Sequence, residues 1–349
     1  MLQTLRLFAG PHDIGGSRWF WAGLAIVVLG FFCYPVFGSE FSATNISFYL
    51  LNIPLGLGLA LLWGYGGVLS FGQVTFFTIA GYGYGVVAGN MTDSALGTIV
   101  ASFAGLAAAG ALSAVFGYFV FFSRVAAWIV PILTLVLTLL VSTFLGLTAG
   151  YQWRIGDVLL GGYNGMTNIP QLHVGSLVFQ GYSFYYLAVA VVIICYVGLR
   201  IFVNSHSGQA VIAMREDDLR MELLGYDVRL QQLGIFVFAA LLSGVSGLLY
   251  VQWGNYITPS SASLISATLP VIWVAVGGRD SLLAVCIATF LLNQLTYVLS
   301  SQGNRYAFII VGAILVGVML FTPQGIVVTV ARHRIWHRRT RPRDEPLHG

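Results

Sequence analysis

Residues 126–147 read AAWIVPILTLVLTLLVSTFLGL, a stretch without one charged side chain. A helix needs about 20 mostly apolar residues to cross a bilayer, and this run supplies them. The same ruler predicts further runs at 19–38, 46–64, 68–89, 97–122, 181–203, 233–252, 265–278, 281–301 and 307–330, giving about ten spanning helices by hydropathy. Two of them differ from the rest. The 68–89 run is rich in glycine and polar residues, and the 265–278 run is short for a crossing. A broken or re-entrant helix fits both, a geometry tolerated where protein or a water-filled cavity covers the backbone.

Composition agrees with this reading. The chain has 349 residues, 58% hydrophobic and only 8% charged. A soluble domain carries about 25% charged residues, so an ordinary soluble enzyme is excluded, as is a disordered chain, which needs low hydrophobicity and high charge. Glycine (42 residues) and aromatics (14%) suit membrane helices, where small residues allow close packing and Trp and Tyr favour the interfaces. Cys33, Cys195 and Cys286 each lie alone in an apolar run and read as small buried hydrophobes. The first long run lacks a small-residue cleavage site, which points away from a cleavable signal.

All 16 basic residues are arginine. Without lysine there is no GxxxxGK[S/T] phosphate loop, no Schiff base and no catalytic ammonium group in these residues. Any ATP-driven work would need another chain to hydrolyse the ATP. Arginine placement also sets the topology. With both ends cytoplasmic, the inner segments hold Arg6, Arg18, Arg124, Arg200, Arg215, Arg220, Arg229, Arg279 and six in the tail, 14 in all, against Arg154 and Arg305 outside. That is a strong positive-inside bias, and it requires an even number of spans between basic loops. Three segments follow: a cytoplasmic stretch 1–18, a transmembrane domain 19–330 containing a charged loop at 204–232, and a basic cytoplasmic tail 331–349. The tail reads as a stop-transfer anchor beside anionic lipid headgroups, not as a nucleic-acid arm.

The spans lack the groups that mark proton relays and ion pathways. No carboxylate or histidine lies inside one, Arg200 sits at a span end where it can snorkel, and no HExxH or paired-carboxylate site exists. This argues against proton-coupled transport, haem or redox chemistry, and an enzyme; no metal or cofactor is expected on this chain. The polar groups within spans are neutral. Thr134, Thr138 and Ser142 recur every four positions on one helix face, and either interhelical hydrogen bonding or a pathway lining accounts for them. Gln73, Tyr82 and Asn293 are the other candidate pathway residues, with Tyr84 a further candidate contact beside Gln73 and Tyr82; Asn52 is also a polar group within a span. Gly244 and Gly247, in SGVSG, read as packing residues, as do most glycines of 64–89. A neutral path suits a neutral or zwitterionic solute.

The loop NSHSGQAVIAMREDDLRMELLGYDVRLQQLG (204–234) is unlike the rest. Its charges are interleaved with Val211, Ile212, Met214, Leu219, Leu223 and Leu224 at helical spacing. The pattern predicts a short amphipathic helix, a stop at Gly225, and a second helix leading into the membrane. A charged hairpin of this kind is a docking surface.

At this point the sequence resembles a known family. GQAVIAMREDDLRMELLGYDVRLQQLGIFVFAALLSGVSGLLY is similar to the coupling region of permease subunits of branched-chain amino-acid type ABC importers. WGYGGVLSFGQVTFFTIAGYGYG (63–85) is similar to that family's glycine-rich signature and GGYNGMTNIP (161–170) to its outer loop. VIWVAVGGRDSLLA and MLFTPQGIV are similar to its closing motifs. The four stretches stand in the family's order over roughly residues 50–328. Arg279 and Asp280, Ala284 and Pro131 depart from the pattern.

The resemblance implies an all-α polytopic permease with a type II importer-like bundle in the bacterial inner membrane. It further implies a related second permease, two ATPase subunits carrying the ATP and Mg, and a solute-binding protein. Met214, Arg215, Glu216, Asp217, Asp218, Arg220, Leu224 and Gly225 would couple to an ATPase. Branched-chain or other neutral amino acids are the family's default solutes; LLGYD with VIWVAVGGR resembles its urea and short-chain amide branch. A stand-alone secondary transporter or channel remains the alternative of another class.

Overall fold

A computed structural model describes residues 18–91, 96–123, 125–175, 177–301 and, of the last run, 309–310, 312–314 and 316–317. The cytoplasmic stretch up to residue 17, most of the 307–330 run, the MLFTPQGIV motif and the basic tail lie outside the described residues.

The described chain is helical. In order it forms α1 (Arg18–Phe37), α2 (Glu40–Leu50), α3 (Ile53–Leu59, continuing as a π-helical turn Ala60–Tyr65), α4 (Gln73–Asn90), α5 (Gly97–Phe122) and α6 (Val130–Leu147). Then come α7 (Tyr182–Asn204), α8 (His206–Glu216), α9 (Asp218–Leu223), α10 (Val228–Gly254), α11 (Leu264–Gly277) and α12 (Leu282–Ser301). Two tiny antiparallel hairpins, Arg154–Ile155 with Val158–Leu159 and His173–Val174 with Leu177–Val178, sit in the long loop after α6.

Among the described residues, seven helical stretches are long and apolar enough to cross a membrane, counting Glu40–Tyr65 as one. The two unusual runs of the sequence are both helices. α4 has 18 residues, about 27 Å at 1.5 Å per residue, and every residue before Asn90 is buried or half-buried. Its glycine and polar content is tolerated because protein, not lipid, surrounds it. α11 has 14 residues, about 21 Å, and falls short of a crossing. A 3₁₀ turn at Pro259–Ala262 precedes it and dips into the bundle, where the Ser142 hydroxyl donates to the Pro259 carbonyl at 3.0 Å.

The bundle centre is α4 held between α5 and α10. Small residues set the approach. A Cβ on Gly105 would lie 2.4 Å from the Ala80 carbonyl oxygen, and one on Gly247 2.0 Å from that of Phe77. Backbones this close gain dispersion contacts that lipid cannot match, which is how membrane helices associate.

The two ends of the bundle are distinct. At one end lie the α3–α4 turn, α8 and the α11–α12 loop. At the other, the α6–α7 loop folds over the bundle. Met166 pairs with Ile257, Tyr84 donates to the Pro170 carbonyl at 2.8 Å, and the Thr98 hydroxyl donates to the His173 carbonyl at 2.8 Å. Among the described residues, this grouping puts Arg215 and Arg279 at the first end and Arg154 in the loop at the other.

Candidate coupling face and solute pathway

The 204–232 loop forms two short helices, where the sequence pattern predicted one before the glycine. Ser205 caps α8, its hydroxyl accepting from the Gly208 N–H at 3.3 Å. Asp217 then breaks the helix in an extended conformation and caps α9, accepting from the Arg220 N–H at 3.0 Å. The pattern missed this because Asp217 sits inside a charged run, where a carboxylate that caps a helix looks like any other charge. Gly225 adopts φ +87°, a left-handed position that suits glycine. Asp227 caps α10, accepting from the N–H groups of Arg229 and Leu230.

The hairpin has two unlike faces. Gly208, Val211, Met214 and Met221 are buried against the bundle. Leu219, Leu223 and Leu224 are 64%, 82% and 73% exposed, among Glu216, Asp218, Arg220 and Glu222, which are also exposed. An exposed apolar cluster with a charged rim marks an interaction site. Two of the expected coupling residues therefore point elsewhere. Met214 shares the inward face with Val211, one helical turn away, and is 3% exposed. Arg215 also turns inward.

Arg215 ties three elements together. Its guanidinium donates to the Gly64 carbonyl at the end of the π-helical turn, pairs with Asp280 of the α11–α12 loop at 3.0 Å, and pairs with Glu216 at 2.7 Å. Burial pulls the Arg215 pKa down, but the Glu216 and Asp280 carboxylates outweigh this and hold it above its ordinary value. The site needs two glycines. A Cβ on Gly64 would fall on the Arg279 carbonyl, and Gly67, at φ +75°, would meet the Arg215 side chain at 2.7 Å. Sequence reasoning missed Asp280 as a partner because 65 residues separate it from Arg215; its only signal was a departure from the family pattern.

The six pathway candidates do not converge. Thr134 and Thr138 are fully buried and brace the segment leading into α4. Thr134 accepts from the Phe71 N–H at 3.1 Å, and the hydroxyls of Thr75 and Thr138 bond at 2.8 Å. Ser142 holds the dipping turn, as described above. Gln73 accepts from the Ser243 hydroxyl at 2.6 Å. Its Nε2, and the Tyr82 hydroxyl, are buried without a partner among the described residues. Asn293 lines an open space, a cleft of about 190 Å³ that it shares with Asn52, Ser261, Ser266, Tyr250 and Trp273. Of these, Ser261, Ser266, Tyr250 and Trp273 went unrecognised because they come from separate elements.

Residues 38–319 match the family described as branched-chain amino acid transport system / permease component. The chain belongs to that family. Within this permease component the match takes in the hairpin, the Arg215 tie and the cleft, and leaves out α1. The chain is 26% identical to the high-affinity branched-chain amino acid transport system permease protein LivM of Escherichia coli K12, over 79% of this chain and 66% of that protein. It is 26% identical to the LivM protein of Salmonella typhimurium LT2, over 83% of this chain and 70% of that protein. The chain thus spans about two thirds of the length of these relatives. No solved structure matches it.

One feature of the permease component departs from the sequence reading. Arg200 does not snorkel; it is fully buried. Its guanidinium lies over the Trp21 ring at 4.9 Å and the Phe20 ring at 5.1 Å, and it donates to the Tyr196 hydroxyl at 2.8 Å. The aromatic pair on α1 supplies the stabilisation that headgroups would otherwise give.

Proposed function

We propose that this permease component forms part of an ATP-driven importer of small neutral or zwitterionic solutes, with branched-chain or other neutral amino acids as the leading class. A second related permease, two ATPase subunits and a solute-binding protein would complete it. The exposed Leu219, Leu223 and Leu224 cluster is the observation that carries this reading. It sits on a helical hairpin, at the arginine-rich end, in a sequence that has no phosphate loop. In this reading the leucines enter a groove of an ATPase and the acidic and basic rim fixes the register. Arg215 then passes the displacement to the α3–α4 turn and to the α11–α12 loop.

This places the hairpin and both termini in the cytoplasm of a bacterial inner membrane, with ATP and Mg held by the partner chains. The passage itself would carry no charge and would leave affinity to the binding protein. A urea or short-chain amide importer of the same build is the second reading, favoured by LLGYD and VIWVAVGGR.

The test is uptake by proteoliposomes holding the full complex, with leucine or urea as solute. The single chain should transport neither, and uptake by that chain alone would refute the proposal in favour of a stand-alone transporter. Gly225→Pro should abolish transport and its stimulation of ATP hydrolysis while the bundle folds, since proline cannot adopt a positive φ. Normal coupling in that variant would remove the hairpin from the mechanism.

A further inference from the structure

The cleft beside Asn293 holds polar groups that no helix contact uses. Asn52 occupies the break between α2 and α3. Its Nδ2 donates to the Phe48 carbonyl at 3.2 Å and to Asn293 Oδ1 at 3.2 Å, and Asn293 Nδ2 donates to the Thr289 carbonyl at 2.8 Å. Both backbone carbonyls only accept, so both amides are fixed in orientation. This leaves Asn52 Oδ1 as an acceptor without a partner among the described residues. The Ser261 hydroxyl, across the cleft, likewise has none. Both residues are half-buried, so a solute can reach them.

The remaining walls complete a pattern. Tyr250 donates to the Tyr256 hydroxyl at 2.9 Å, which holds its ring in place, and Trp273, Phe48 and Phe77 add further ring surface. Leu55, Val74 and Leu269 give an aliphatic floor. Among the described residues, no charged side chain lines the cleft. A solute with an uncompensated charge would be costly there, whereas a zwitterion brings both charges at once.

We propose that this cleft is where the permease component holds its solute in transit, and that it takes an α-amino acid with a small aliphatic side chain. The inference rests on the transport reading above and adds the place and the contacts. The ammonium group lies against ring faces and donates to Asn52 Oδ1. The carboxylate accepts from Ser261 at the end where the first turn of α11 carries its partial positive charge. The side chain covers the aliphatic floor. A volume of about 190 Å³ is below the roughly 300 Å³ at which drug-sized pockets begin, in keeping with a metabolite of this size. Urea could use the amides but would leave the floor and the rings uncovered.

The experiment places a single reporter thiol, Ser261→Cys, in a full complex whose Cys33, Cys195 and Cys286 are replaced by alanine. Ser261→Cys is close in size but its thiol donates more weakly than the hydroxyl, so leucine uptake should fall while remaining measurable. A methanethiosulfonate reagent should then abolish uptake, and L-leucine present during turnover should slow the modification severalfold while urea does not. Separately, Asn52→Leu should lower leucine uptake by roughly tenfold or more at unchanged ATPase stimulation, because a site built to bond a polar group discriminates strongly once that bond is lost. Modification at the same rate with leucine present, or full uptake after modification, would overturn the site. Protection by urea alone would overturn the solute class. If the unmodified complex moves neither leucine nor urea, the transport reading fails first and takes this inference with it.

Discussion

α1 and α10 have the same mean hydropathy over their most apolar windows, 2.1, yet 0% of the first window is buried and 67% of the second. In a soluble protein apolar character sorts helices between core and surface. Here it does not, because lipid tails are as apolar as the protein interior. What separates the two helices is side-chain size at the contact. α10 presents Ala239, Ala240, Ser243, Gly244, Ser246 and Gly247, all buried. The glycines of α1, Gly23 and Gly30, have nothing near them. α4 extends the lesson: it is too polar to count as a candidate span, yet every residue before Asn90 is buried or half-buried.

The most damaging way to break this contrast is Gly247→Val. The added atoms would press on the Phe77 backbone, which cannot swing aside as a side chain would, and overpacking of this severity costs about 3 kcal/mol or more. Loss of folded protein in detergent is expected, whereas Gly30→Val, made where there is open space, should leave thermal stability within about 0.5 kcal/mol of wild type. Equal effects of the two substitutions would show that small-residue packing does not set the burial.

The hairpin repeats the contrast on a smaller scale. Arg215 faces the bundle and Arg220 faces away, its side chain 82% exposed. Arg215→Ala should cut transport per ATP hydrolysed by several-fold in the full complex, since it removes bonds to two other elements. Arg220→Ala breaks only a surface pair with Asp217, worth about 0–1 kcal/mol, and should leave that ratio near wild type. The reverse order would place the mechanical tie on the outer face.

The smallest expected effect belongs to Thr138→Val. The change keeps the shape and deletes the hydroxyl that bonds Thr75, so stability should fall by about 1 kcal/mol, typical of interhelical hydrogen bonds in membranes. Flux per folded transporter should not change. A fall in flux at wild-type stability would return this helix face to the pathway.

Much of the fold was legible in residue order. The apolar runs gave nine helices, or helix pairs, close to their observed places, and the arginines predicted which turns share an end of the bundle. The coupling hairpin was legible as an amphipathic, charged insertion. The inward faces of Met214 and Arg215 were not, because helical periodicity marks a face without saying what lies opposite it. The candidate site was barely legible. Asn52, Ser261, Ser266 and Asn293 lie in three separate stretches, and each looks alone like an isolated polar residue in an apolar run.

Residue order was enough to show that the chain suits a membrane, roughly where its apolar helices lie and that its basic side chains are all arginine. These follow from length, hydropathy and charge, which act residue by residue against lipid and water. Packing alone settles which helix is central, which arginine is a tie and which a rim, and which neutral side chains bond one another and which face a space. Those distinctions depend on how closely two backbones approach, and lipid and protein interior are too alike for hydropathy to record it.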